Sequence, residues 1–360
     1  MYDLWSSTRT TIKPQYCALF NFFCIFAVVM ILDVVRHKFA EAILVMLLLA
    51  ISAMVVALCA PVDVAALAPS VEPWRTPLQN FAVEHNIIAA LLIVPLFCLS
   101  ALRLARATIR ISLYPAATLA AIALCSIVLL AMTASVDYFS LIIVATLACS
   151  SLGRILGCFG PVLRVQRLFS AMLFAGCMPL IDSSLLPVVA ALVGLIIFVR
   201  RTLRESVISI VGALLPLFAL SYIEWCFGGE FSALPVALWR DMLTPAYDTL
   251  VDYVTLPRMI FLVMLLVMQL SSSAVYISDR MSLGPGVRHA WSYLQLLFLV
   301  LVLLCIFLPS TSAALMLLTT LSVVAMLPLL YLRVPPYLCV LLFTLFLSAG
   351  CAVAILHILA

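Results

Sequence analysis

The residues in this chain best suited to chemistry are carboxylates. In the stretch YIEWCFGGEFSALP, Glu224 and Glu230 flank Gly228 and Gly229, and Asp241, Asp248 and Asp252 follow. A second group, Asp63, Glu72 and Arg75, lies in APVDVAALAPSVEPWRTPLQNFAVEHN, which also carries Glu84 and His85. A carboxylate held against an acceptor hydroxyl takes its proton as a general base. Neighbouring carboxylates also suit a divalent cation that neutralises a phosphate. Arg75 and Arg240 are the candidates to hold that phosphate, because a guanidinium fork matches its oxygens. A plainer account covers the same residues. The acids would simply solvate polar loops, with Arg75, Arg240 and Arg258 as ion-pair partners.

The elements that must position these groups follow from composition. The chain of 360 residues is 67% hydrophobic and 9% charged, with a mean hydropathy of +1.30. So few polar residues cannot cover the surface of a soluble fold. Apolar runs of roughly 20 residues recur throughout, each long enough to cross a bilayer as a helix. A transmembrane barrel would show short alternating segments instead. The fold class is therefore all-α, a polytopic transmembrane helical bundle. About twelve spans are expected, at roughly 17–35, 40–60, 87–104, 112–134, 138–159, 167–181, 185–199, 206–227, 255–277, 291–309, 313–332 and 337–358. Residues 1–38 form an N-terminal segment with an extra transmembrane helix. No small-residue cleavage site follows its apolar run, so it reads as retained. Residues 39–360 form a single polytopic membrane domain.

Basic residues orient this arrangement. Arg36, Lys38, Arg103, Arg106, Arg110, Arg154, Arg164, Arg167, Arg200, Arg201, Arg204, Arg280, Arg288 and Arg333 all fall in alternate loops. The positive-inside rule places that set in the cytoplasm and both termini outside. The acid-rich loops 60–86 and 228–254 then face the extracytoplasmic side. Each is expected to contain short helical elements, with Trp74 and Trp239 at headgroup level. An ionisable group near the lipid boundary is costly unless solvated or paired, which makes Glu224 a candidate by position.

Other polar residues have simpler roles. Asp182 in PLIDSSLLP is expected to cap the following helix with Ser183 and Ser184, and Asp137 is a single acid at a short turn. The clusters RLARATIR and FVRRTLRES suit anchoring at anionic headgroups. Gly153 and Gly157 permit close helix packing, and Arg154 between them is expected to snorkel to the inner face. His357 reads as an interface residue. The 12 cysteines are scattered singly, with no metal or redox spacing, and read as small hydrophobes. Nucleotide-binding, zinc-protease, serine-hydrolase and potassium-filter motifs are all absent.

The segment RLFSAMLFAGCMPLIDSSLLPVVAALVGLIIFVRRTLRESVISIVGALLPLFALSYIEW resembles an uncharacterised multi-pass family of Gram-negative inner-membrane proteins. Arg204-Glu205, Gly212 and Leu215-Pro216 match the family pattern, while Ser206 stands where the family has Trp. The resemblance is clear over this segment and weaker from residue 39 to the C-terminus. It implies genomic association with a polyprenyl-phosphate sugar synthase, and so the use of a lipid-linked sugar. The layout is also similar to multi-pass glycosyltransferases with an acid in an early outer loop, a position that Asp63 occupies.

The resulting expectation is an inner-membrane transferase, or a subunit of one, using a polyprenyl-phosphate-linked sugar at the extracytoplasmic face. Asp63 or Glu230 would be the base. Arg75 or Arg240 would hold phosphate, with Glu224 and Glu72 lining the site and a divalent cation as a candidate cofactor. Membrane lipids, a polyprenyl phosphate and a membrane protein are the expected partners, and nucleic acid is not. Two other readings stand beside it. A transporter or lipid flippase would place ionisable groups in a mid-membrane cavity. A non-catalytic subunit or scaffold of an envelope complex would show no convergence of the outer acids.

Overall fold

The computed structural model describes residues 39–59, 72–114, 119–159, 165–198, 203–244, 253–280 and 283–359, and every regular element among them is helical. In chain order the helices are α1 Phe39–Cys59, α2 Arg75–Glu84, α3 Asn86–Arg110, α4 Ala120–Thr133, α5 Tyr138–Leu156, α6 Val165–Cys177, α7 Leu186–Phe198, α8 Leu203–Cys226, α9 Ala233–Leu243, α10 Leu256–Asp279, α11 Pro285–Phe307, α12 Ala313–Val324, α13 Leu327–Arg333 and α14 Pro336–Leu359. The short helices expected in the two polar loops are α2 and α9.

The span count differs from expectation. Among the described residues 8 helices are long and apolar enough to cross a membrane, α12 and α13 counting as one. Three further expected spans are shorter apolar helices, Ala120–Thr133, Val165–Leu180 and Ser183–Phe198. The expected first span, 17–35, lies outside the described residues. The physical reason is that apolar composition does not separate lipid contact from protein contact. Helix α4 shows this: every one of its residues is buried. It is apolar all round because α1, α3, α5, α12 and α14 surround it, and a helix with no polar face belongs in a core.

The outer helices are the reverse. On α8 only 28% of the apolar window is buried, and Leu214, Phe218 and Trp225 are exposed. Exposed apolar surface on that scale is a liability in water and ordinary in lipid.

Small residues set how closely the helices approach. A Cβ on Gly176 of α6 would lie 2.1 Å from the Ala213 carbonyl oxygen of α8, and one on Gly212 would lie 2.9 Å from the Phe169 carbonyl oxygen. Gly153 of α5 similarly faces the Arg103 carbonyl and Ala107 of α3. This is the close backbone packing that small residues permit between membrane helices.

Polar contacts gather at two ends. At the arginine-rich end, Arg103 donates to Ser150, Arg154 sits 4.7 Å above the Phe174 ring, and Arg333 pairs with Asp279 at 2.6 Å. The opposite, acid-rich end holds α2, α9, the α4–α5 turn and the α6–α7 tip.

Candidate functional site

The site is assembled on the α6–α7 tip. Helix α6 runs into a short 3-10 turn, Met178–Leu180, which Pro179 opens with its fixed φ. A second turn, Ser183–Leu185, begins α7, and the Asp182 side chain caps it by accepting the Ser184 N–H at 3.0 Å. The Ser184 hydroxyl also donates to Asp182, at 2.6 Å, and meets the Ser312 hydroxyl at 2.7 Å.

Two polar segments close onto this tip. From the first, the Trp74 N–H donates to the Leu180 carbonyl at 3.1 Å. The Glu72 carboxylate, 3% exposed, accepts the Ser183 N–H at 3.2 Å. From the second, Asp241 of α9 accepts the Ser183 hydroxyl at 2.5 Å. Leu234 and Leu238 of α9 cluster with Leu180 below. Ser183 therefore ties Glu72 and Asp241 to one residue. Arg75 completes the group: it donates to Asp137 at 2.8 Å and stands 3.8 Å from Glu72. Gln79, one turn along α2, takes the other Asp137 oxygen at 2.8 Å.

Three carboxylates, Glu72, Asp137 and Asp182, thus gather about one guanidinium, and Asp241 adjoins Glu72 through Ser183. Burial pushes the Glu72 carboxyl above the ordinary carboxylate range. Arg75 opposes this, Asp182 adds to it, the Ser183 N–H opposes it, and Asp241 adds to it. For Arg75, burial works against the charge, but Asp182, Asp137 and Glu72 outweigh it and raise its pKa. The arrangement sets a carboxyl that burial biases toward its neutral form beside carboxylates that accept hydrogen bonds.

The sequence-derived candidates divide between this cluster and its surroundings. Glu72, Arg75 and Asp241 are in it. Glu224, Glu230 and Arg240 are exposed, and their side chains make no hydrogen bond or ion pair among the described residues. Asp63, Asp248 and Asp252 lie outside the described residues. Asp137 was expected as a single acid at a short turn and Asp182 as a helix cap with Ser183 and Ser184, while Gln79 and Ser312 carried no signal. The available clue was that Asp137 and Asp182 fall on the same side as the polar loops. Among the described residues no three His, Cys, Asp or Glu side chains are placed to hold a metal ion, so no step is derived through a divalent cation.

Eight long apolar helices among the described residues, together with a short apolar one fully buried between several of them, are consistent with a multi-pass helical membrane protein. Comparison with family models, curated proteins and solved structures finds no match.

Proposed function

We propose that the protein is a multi-pass inner-membrane transferase, or a subunit of one, that uses a polyprenyl-phosphate-linked sugar at the extracytoplasmic face. The observation that carries this reading is the meeting of Glu72 and Asp241 on Ser183, because it joins the two polar loops at one point. The three shorter helices bring the described spans to eleven, and the expected first span, 17–35, makes about twelve; the positive-inside rule then turns that end outward, with both termini on the same side.

In the reaction, the acceptor hydroxyl attacks the sugar carbon bonded to phosphate. The new C–O bond forms as the old one breaks, the hydroxyl proton passes to a carboxylate, and polyprenyl phosphate leaves. Asp241 is the base best placed within the cluster; of the other candidate bases, Glu230 is exposed and Asp63 lies outside the described residues. Glu72, whose carboxyl burial pushes above the ordinary range, lies in the same cluster as the candidate acid for the departing phosphate oxygen. Arg75 is already engaged with Asp137, whereas Arg240 is exposed and free to meet phosphate.

The test is mass spectrometry of lipids that co-purify in mild detergent, followed by sugar transfer with Asp241→Asn and Glu72→Gln. An enriched polyprenyl-phosphate sugar, with transfer lost in both variants, supports the reading. Undiminished transfer in both variants refutes the assignment of the cluster.

A second reading, a non-catalytic subunit of an envelope complex, is favoured by one observation. Two small cavities, one lined by Ser135 and His357 and the other by Ser151 and Met178, each hold roughly one water, and neither borders the cluster. Retention of ordinary phospholipid alone, with a co-purifying membrane protein, would favour it. A flippase gains less support. Some of the polar groups within the described helices bond to one another, Ser100 to Thr146 and Gln295 to Ser273, rather than face a cavity.

A further inference from the structure

A different part of the acid-rich end has a charge that no carboxylate among the described residues pairs with. Arg258 begins α10 and is 4% exposed. Its two terminal nitrogens donate to the Tyr253 and Ala134 carbonyls, and its guanidinium carbon lies 3.8 Å from the centre of the Tyr253 ring. No carboxylate among the described residues pairs with it, and its buried Nε has no hydrogen-bond partner. Removing a guanidinium from water without a counter-charge is costly. The surroundings therefore suit an anion.

Two more orphaned groups lie close by. The buried Nε2 of His357 on α14 and the buried Oγ of Ser135 have no partner. Both residues line one crevice, whose walls also include Ala53 and Ala57 of α1, Thr133 and Ala134. Arg258 stands behind this wall, since it donates to the Ala134 carbonyl. The crevice measures about 330 Å³ counting its open mouth, and its enclosed part has room for roughly one water. That is too little for a sugar but suits a headgroup oxygen entering from the mouth. Leu58 of α1 and Leu356 of α14 are exposed nearby in sequence to the crevice residues.

We infer that this crevice binds the phosphate-bearing headgroup of a membrane lipid, whose chains lie along α1 and α14. Three observations select that occupant. The Arg258 charge requires an anion. On the crevice wall the Ser135 hydroxyl is an unused donor and His357 Nε2 an unused polar atom, and Arg258 behind the wall supplies charge rather than a direct contact. The apolar exposed residues of α1 and α14 suit hydrocarbon rather than water. A metal cation would be repelled by the guanidinium, and a neutral headgroup would leave its charge unanswered. The inference does not depend on the transferase reading, because any phosphate lipid satisfies it. The two sites share one turn: Ala134 serves Arg258, and Asp137 serves Arg75 and Gln79.

The test is native mass spectrometry of the full chain in detergent, titrated with phosphatidylglycerol, with diacylglycerol of the same chains, or with inorganic phosphate. One phosphatidylglycerol per chain should survive detergent exchange, and diacylglycerol should not. Arg258→Gln removes two ties to the backbone and risks unfolding this end. The decisive variants are therefore Ala57→Leu, which fills the crevice, and His357→Ala. Each should weaken retention roughly tenfold while the unfolding temperature in detergent stays close to that of the unmodified chain. Unchanged retention in both variants, or equal retention of diacylglycerol, overturns the inference. Competition by inorganic phosphate at the lipid's own concentration would identify a free-anion site and overturn the lipid assignment.

Discussion

Ser183 donates its hydroxyl to Asp241 at 2.5 Å while its backbone N–H donates to Glu72 at 3.2 Å. One residue at a helical tip thereby holds a carboxylate from each of two distant polar segments. The consequence is mechanical as well as chemical. Helix α9 and the segment before α2 are attached to the bundle through the same point.

Ser183→Ala should release Asp241 and leave the Glu72 contact intact. The expected loss is about 1–2 kcal/mol, because a hydrogen bond to a charged group disappears from a partly buried position. Thermal unfolding in detergent measures the loss. Faster proteolysis within α9, with α6 and α7 unaffected, would show that the attachment is local. No change in either would mean that the leucine contacts of α9 suffice to hold it.

Arg75→Gln should be more damaging than its partial exposure suggests. It leaves Asp137, Glu72 and Asp182 without their shared cation. A loss of about 1–3 kcal/mol is expected, after allowing for solvent at this half-open position. Asp137→Asn should restore part of that stability when combined with Arg75→Gln, because it removes a charge left unpaired. A double-mutant cycle on unfolding free energies checks this, and simple additivity of the two changes would contradict the pairing.

Stability should fall as pH rises from the ordinary carboxylate value of 4.5 through the raised value of Glu72. The sign follows from linkage. A carboxyl whose pKa is higher in the folded state binds its proton more tightly there, so folding is favoured at low pH and loses that contribution as the proton leaves. Glu72→Gln should flatten this part of the profile. Unfolding midpoints across mildly acidic pH, for both chains, decide the matter. An identical slope in the variant would assign it to another group.

Gly176→Ala should separate α6 from α8. The added Cβ would sit 2.1 Å from the backbone oxygen of Ala213, and backbone cannot swing aside as a flexible side chain can. The cost is expected at about 1–3 kcal/mol or more. Gly194→Ala, where nothing lies within 4 Å, serves as the control. Comparable unfolding temperatures for the two variants would refute the close-packing account.

Much of this architecture was legible in the chain. The apolar runs located the long helices because a bilayer leaves each segment to satisfy its own backbone hydrogen bonds. Prolines and acids located α2 and α9, and Asp182 caps its turn as its position beside two serines suggested. The span count was less legible, and α4 explains why. A helix enclosed by protein on every side looks the same, in composition, as one enclosed by lipid.

The candidate site was legible only in part. Glu72, Arg75 and Asp241 were singled out by type and loop, and Glu224, Glu230 and Arg240 were singled out on equal grounds yet remain exposed. The chain by itself determined that the protein is helical, that its surface is largely apolar and that its acids collect on one side. These properties depend on composition and local period alone. Tertiary structure decided which acids share a neighbour, that Ser183 is their meeting point and that no carboxylate among the described residues pairs with Arg258. Those contacts join residues as far apart as 111 and 124 positions. No local pattern encodes them, because they depend on how close-packed helices bring distant turns to the same end of the bundle.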